Sequence, residues 1–191
     1  MYAEHEEVTS KNDINLIIDE MIVDLVNQAH HIISEYWIWT DDANQSLKDA
    51  KRQAKQIGDD GGVTEKKYSN IGPRVEKSKT TSGGGNEFKP RIVWSVYPNT
   101  PIRRIPGSTD KGTKYSQFSK RIKMSNNSEY RLATLANYSV GWNAQKIIET
   151  EKKLMPIREQ IEALHKARVI IKKVPKRINR ITKKYEEFSH V

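Results

Sequence analysis

Between residues 91 and 123 the chain reads RIVWSVYPNTPIRRIPGSTDKGTKYSQFSKRIK. Eight cations lie in it, Arg91, Arg103, Arg104, Lys111, Lys114, Lys120, Arg121 and Lys123, against a single acid, Asp110. Trp94, Tyr97, Tyr115 and Phe118 are interleaved with them. These side chains suit a polyanion. Lys and Arg neutralise phosphates and release counterions, Arg pairs bidentately with guanine edges, and aromatic rings stack on exposed bases. The residue types fit a nucleic-acid surface without being specific to one. Trp94 lies on an alternating run, where a tryptophan is more often core than platform, whereas Tyr97 and Tyr115 lie nearer loops. Solubility alone is the bland account of the charge.

A second basic run, KKVPKRINRITKK, holds Lys176, Arg177 and Arg180. It reads equally well as a basic arm contacting phosphates beside the main surface, or as a helix with Val174, Ile178 and Ile181 against the body.

Bond-making chemistry has little to work with. His5, His30, His31, His165 and His190 show no metal-ligand spacing and no acidic cluster beside them. His30 and His31 are neighbours on a helix and diverge by roughly 100°, so they cannot chelate one ion together and read as boundary residues of a helix pair. There is no GxxxxGK[ST] and no GxGxxG, and SGGGNE is a hairpin tip with no helix after it to cradle a phosphate. No tyrosine has the histidine cluster that a metal-dependent strand-nicking enzyme needs. The expectation is a non-enzymatic protein without metal or cofactor.

The elements that must position these residues follow from hydrophobic period. Ile14, Ile17, Ile18, Met21, Ile22, Leu25, Ala29, Ile32, Ile33 and Tyr36 recur at three- and four-residue steps, predicting an amphipathic helix over 10–57. Ser10 or Asn12 would cap it, and GDDGG at 58–62 would stop it. The runs GPRVEKSKTT and FKPRIVWSVYPN alternate with period two and predict a hairpin, with TPIRRI as a third strand, inside a small β insert over 63–123. From Ser128 to residue 174 helix returns. It is expected to run uninterrupted or kinked through LATLANYSVGWNAQKIIETE rather than as a helix-turn-helix, with a kink or two abutting helices at Pro156. Pro175 then separates a basic arm, 175–191. The predicted fold is α+β: one domain over 1–174, in which long N- and C-terminal helices pack together with a small antiparallel sheet inserted between them.

Composition bounds the class. The 191 residues are 36% hydrophobic and 30% charged, with no cysteine and a net charge of +9. Residues 1–60 carry five Lys/Arg against thirteen Asp/Glu, a balance of −8, while 61–140 stand at +10 and 141–191 at +7. An acidic end followed by a basic body suggests a polyanion-facing surface with an end available to basic partners. No run is long and apolar enough to span a membrane, the first residues are acidic where a signal peptide would be basic, and a cytoplasmic location is expected.

The order of features resembles that of the MobI family. An apolar helix ends in SEYWIW, a hairpin strand carries tryptophan in PRIVWSVY, a basic strand and loop follow in IRRIPGSTDKGTKYSQF, and a long helix reads KKLMPIREQIEALHKAR. The resemblance covers about residues 10 to 173. Members are small proteins of integrative conjugative elements and related plasmids, required for transfer and thought to act at the transfer origin beside the relaxase. The resemblance therefore implies an auxiliary factor that binds double-stranded DNA there and assists relaxase recruitment or nicking. Trp94, Arg103, Arg104, Lys114 and Tyr115 are the matching candidates for the shared surface. The long SKTTSGGGNE loop, Pro156 and the tail beyond Pro175 depart from the pattern. A reading from another class is a helical interaction protein whose heptad-like C-terminal helix and acidic N-terminal half bind protein partners or a second copy, as in a homodimer, while its cations only confer solubility.

Overall fold

The computed structural model describes residues 2–58, 62–63, 65–79, 88–97, 119–126 and 128–189, with the side chains of all but 2–12, 77–79, 88 and 188–189. Its elements in chain order are α1 (Tyr2–Ile57), β1 (Ile71–Lys79), β2 (Phe88–Val96), β3 (Lys120–Arg121), α2 (Leu132–Ala136) and α3 (Ala144–Ser189). The α+β architecture is the one the periodicities predict.

The stripe on α1 decides its packing. Ile18, Ile22, Leu25, Ala29, Ile33 and Tyr36 are buried, and α3 answers with Ile147, Leu154, Ile157 and Ile161. Asp19 pairs with Arg168 and Glu35 with Lys153, so the helices run antiparallel. The helix begins at Tyr2, which puts Ser10 and Asn12 inside it and not at its cap. Strong helix formers among YAEHEE explain the earlier start. At the other end Gly58, at φ 77°, donates its N–H to the Ala54 carbonyl at 3.0 Å, the left-handed stop that glycine provides without steric cost.

The sheet has the order β1-β2-β3, all antiparallel. The hairpin is in the register Ile71 to Val96 through Lys79 to Phe88. Among the described residues its third member is the two-residue β3, paired to Ser95 and Val96; the expected strand TPIRRI lies outside them. Ile92 packs with Leu25, Ala29, Leu154 and Ile161, and Trp94 with Tyr36, Ile71, Tyr130 and Ile147. These two clusters weld the sheet to both helices. The alternate β2 residues Val93 and Ser95 are buried too, so the strand is covered on both sides.

The expected uninterrupted helix after Ser128 is instead two. Gly141, at φ 82°, breaks the chain between α2 and α3. The Asn143 side chain then accepts the Val140 N–H at 2.9 Å and donates to Ser69 Oγ at 2.7 Å, anchoring the start of α3 on the segment before β1. A buried polar side chain, satisfied on both sides, fixes the break. With five residues, α2 is a single turn packed on the core through Leu135. Pro156, conversely, does not divide α3, which is one helix containing both Pro156 and Pro175. A mid-helix proline costs about 3 kcal/mol, but Leu154, Ile157 and Ile161 flank it in the core, and each buried side chain of this size contributes about 1.5–3 kcal/mol. The basic tail is therefore the end of α3. Val174, Ile178 and Ile181 are 45–47% exposed there, so they do not pack on the body either.

Candidate nucleic-acid interface

Three of the predicted cations are brought together. Arg91 on β2, Arg121 on β3 and Lys123 just after it line a cavity of about 490 Å³ whose far wall is α3. Lys89 and Arg158 join them. Arg91 and Lys123 are exposed and make no ion pair among the described residues. The other three are committed: Lys89 to Glu162 at 2.8 Å, Arg121 to Glu76, and Arg158 to Glu151. The rim thus offers two uncommitted charges, and the wall behind them is held by paired ones.

The wall is rigid because its polar groups are networked. Trp94 donates its indole N–H to Glu151 at 2.8 Å, and Arg158 donates to the same carboxylate and to the Ser128 carbonyl at 2.7 Å. The Arg158 guanidinium lies 5.1 Å from the Tyr130 ring centre, while the Tyr130 hydroxyl accepts the Trp94 backbone N–H at 3.0 Å. Burial pushes the Glu151 carboxyl above its ordinary range; the Arg158 charge and the Trp94 hydrogen bond pull it back. Burial raises Tyr130 in the same way. A second anchor lies at Tyr36, pushed up to about 12 by burial, whose hydroxyl donates to the Ile71 carbonyl at 2.7 Å.

Trp94 is fully buried, so it belongs to the core and to no stacking platform. Tyr97 is half-buried, edge-on to Trp37 with ring centres 5.3 Å apart, and burial raises its hydroxyl. Lys120 is exposed on β3 beside Arg121. Arg103, Arg104, Lys111, Lys114, Tyr115 and Phe118 lie outside the described residues. Lys176, Arg177 and Arg180 are exposed on α3, and at 1.5 Å per residue Lys176 stands roughly 21 Å beyond Glu162 at the cavity wall. His30 and His31 are exposed and not at the helix boundary; His31 lies 3.4 Å from Glu35. Among the described residues no group of three His, Asp or Glu side chains is placed to hold a metal ion.

Lys89 and Arg158 are the cavity cations that sequence reasoning missed. Lys89 stands two residues before Arg91 on the same strand. Glu151 and Arg158, seven apart within the apolar stripe of α3, are a charge pair where the period calls for core, and that mismatch is the signal that points to them.

Fold and cavity together define a small α+β scaffold with a cation-lined opening on a rigid wall. A family model described as MobI protein matches residues 25–172, and the chain belongs to the MobI family. Its role accordingly falls within mobilisation, the theme of conjugative transfer. No curated protein and no solved structure matches the chain. Among the described residues no helix is long and apolar enough to cross a membrane.

Proposed function

We propose that the protein is a non-enzymatic DNA-binding accessory of conjugative transfer that binds duplex at a transfer origin, in the cytoplasm, and assists relaxase recruitment or nicking. The observation that carries this reading is the cation-lined cavity, in which Arg91 and Lys123 stand exposed without ion-pair partners on a wall of paired charges. A phosphate reaching the rim meets exposed cations without ion-pair partners among the described residues, on a wall of paired charges. Lys120 extends the rim. Lys176, Arg177 and Arg180 add contacts farther along the same helix, at a separation of roughly six base-pair steps of 3.4 Å.

The test is fluorescence anisotropy on a duplex from the element's own transfer origin and on a scrambled duplex of equal length, across a salt series. The origin duplex is expected to bind at least ten-fold tighter at physiological salt, about 1.4 kcal/mol. The Arg91→Ala/Lys123→Ala double variant should lose affinity for both duplexes, with the salt slope smaller by about 2. Equal binding of both duplexes, unchanged in the double variant, would discard this reading.

A further inference from the structure

Beyond the sheet, α1 and α3 continue as a two-helix arm in which residues 13–24 run beside 163–174 while α3 extends on to Ser189, and among the described residues no third layer covers it. One face of this arm is apolar. On α1 it carries Ile14, Ile17 and Met21, all 41–54% exposed, and on α3 Ile170, Val174, Ile178 and Ile181, 45–62% exposed. The spacings put these residues on one side of each helix. The two sides meet in a groove lined by Met21, Leu25, Ala163 and Leu164 together with the polar Asp24, Gln28 and Gln160, and Ala163 lies seven residues before Ile170 on the same side of α3, so they form one continuous surface.

Charge borders that surface asymmetrically. Along its α1 edge stand Asp13, Glu20 and Asp24, at steps of seven and four; residues 12–47 contain no Lys or Arg. Along its α3 edge stand Lys166, Lys173, Arg177 and Lys184, at steps of seven, four and seven; residues 163–185 contain no Asp or Glu. All seven are exposed and none makes an ion pair among the described residues. An apolar seam with acids on one margin and bases on the other is the pattern by which helices choose partner and orientation.

We infer that this face binds a second copy of the same chain, forming a four-helix bundle about a twofold axis parallel to the arm. Only that axis lays each α1 over the partner's α3, so that both acidic margins meet basic ones. A twofold across the arm would set acid on acid and base on base. Twelve paired residues span about 18 Å and two adjacent helices roughly 20 Å, on the order of 360 Å²; α3 beyond Val174 adds roughly 20 Å of single helix about 10 Å wide, bringing the face to on the order of 560 Å² before surface relief, somewhat below the ~800 Å² that each partner gives a standard interface. The axis also puts both sheet-bearing bodies, and both cationic cavities, at the same end of the assembly.

Light scattering on the full chain at micromolar concentration tests the association. The expected mass is twice the 22.0 kDa of one chain, and Ile178→Asp/Ile181→Asp should weigh as a monomer with unchanged circular dichroism. Lys173→Glu/Arg177→Glu should raise the dissociation constant at least ten-fold, and mixing it with Glu20→Lys/Asp24→Lys should restore the dimer. The absence of cysteine makes orientation directly readable. Ile14→Cys and Val174→Cys chains should form a disulfide-linked pair when mixed and not when either is oxidised alone. A wild-type monomer throughout, a dimer indifferent to Ile178→Asp/Ile181→Asp, or equal linking of a single variant with itself would overturn the inference. So would a monomer that sediments with anionic vesicles through this face, which would make the partner a membrane.

Discussion

The body and the arm share their two long helices and differ in what covers them. From Leu25 to Tyr36 the stripe of α1 is closed by α3 and by a sheet whose Ile92 and Trp94 are 1% and 0% exposed. From Ile14 to Val23 an equally apolar pattern has, among the described residues, only α3 for company, and five of its residues are 41–60% exposed. Hydrophobic period predicts that a helix will have an apolar face; a second layer decides whether that face becomes core. The family match, residues 25–172, takes in the body and leaves α1 before Leu25 and α3 after Lys172 outside.

The largest loss is expected on removing a charge from the body. Arg158→Ala would leave Glu151 buried without its ion partner, and such losses cost about 3–5 kcal/mol. The folded pKa of Glu151 would then rise further above its unfolded value. Stability would be present at low pH and lost as pH rises through the folded pKa. Urea unfolding of the variant should therefore show a deficit that shrinks on acidification; a deficit independent of pH would mean that the ion pair contributes little.

Next in size is Gly72→Ala. A methyl group there would overlap the Trp37 ring, which is held by an indole N–H donated to the Pro73 carbonyl at 3.1 Å. Overpacking of this kind costs about 1–3 kcal/mol, and thermal melting reads it. An unchanged melting temperature would show that Trp37 is free to shift.

Where body meets arm stands His165, whose pKa is lowered to about 4 by burial and by the charges of Lys89 and Arg168, with Glu162 and Asp19 acting the other way. The unfolded chain then binds the extra proton more readily. The stability contributed by the neutral ring is complete above pH 6.5 and is lost as pH falls from 6.5 towards 4. Glu151, with its raised pKa, has the opposite slope, but it is common to wild type and His165→Gln. The difference between their stability curves isolates the histidine, and the wild type should fall more steeply across that window. Parallel curves would place His165 in water.

How much of this was legible depended on whether a signal was periodic. The α1 stripe, the hairpin and the stop at Gly58 follow from repeated spacing and from glycine. A third strand of only two residues, Lys120 and Arg121, both exposed, has no alternation to read. The break before α3 was hidden because apolar residues continue through Gly141, while its cause is a hydrogen bond from Asn143 to Ser69, distant in sequence. The cavity was half legible. Arg91, Arg121 and Lys123 announce themselves by charge, whereas Arg158 reads as a surface cation until Glu151 and Trp94 are seen against it. The exposure of Val174, Ile178 and Ile181 was the least legible, because a heptad pattern looks the same whether its partner is the body or another chain.

The smallest effect is expected in the arm, and it depends on concentration. Ile181→Ser removes a side chain that is already 45% exposed in one chain. At high dilution the change in unfolding free energy should stay within about 0.5 kcal/mol. At high concentration, association stabilises the wild type by mass action and makes its melting temperature rise with concentration, which the variant should fail to do. Divergence of the two melting curves on concentrating the samples ties the exposed stripe to self-association. Curves that coincide at every concentration would leave Ile181 an ordinary surface residue, and the body would hold all the stability that the two helices supply.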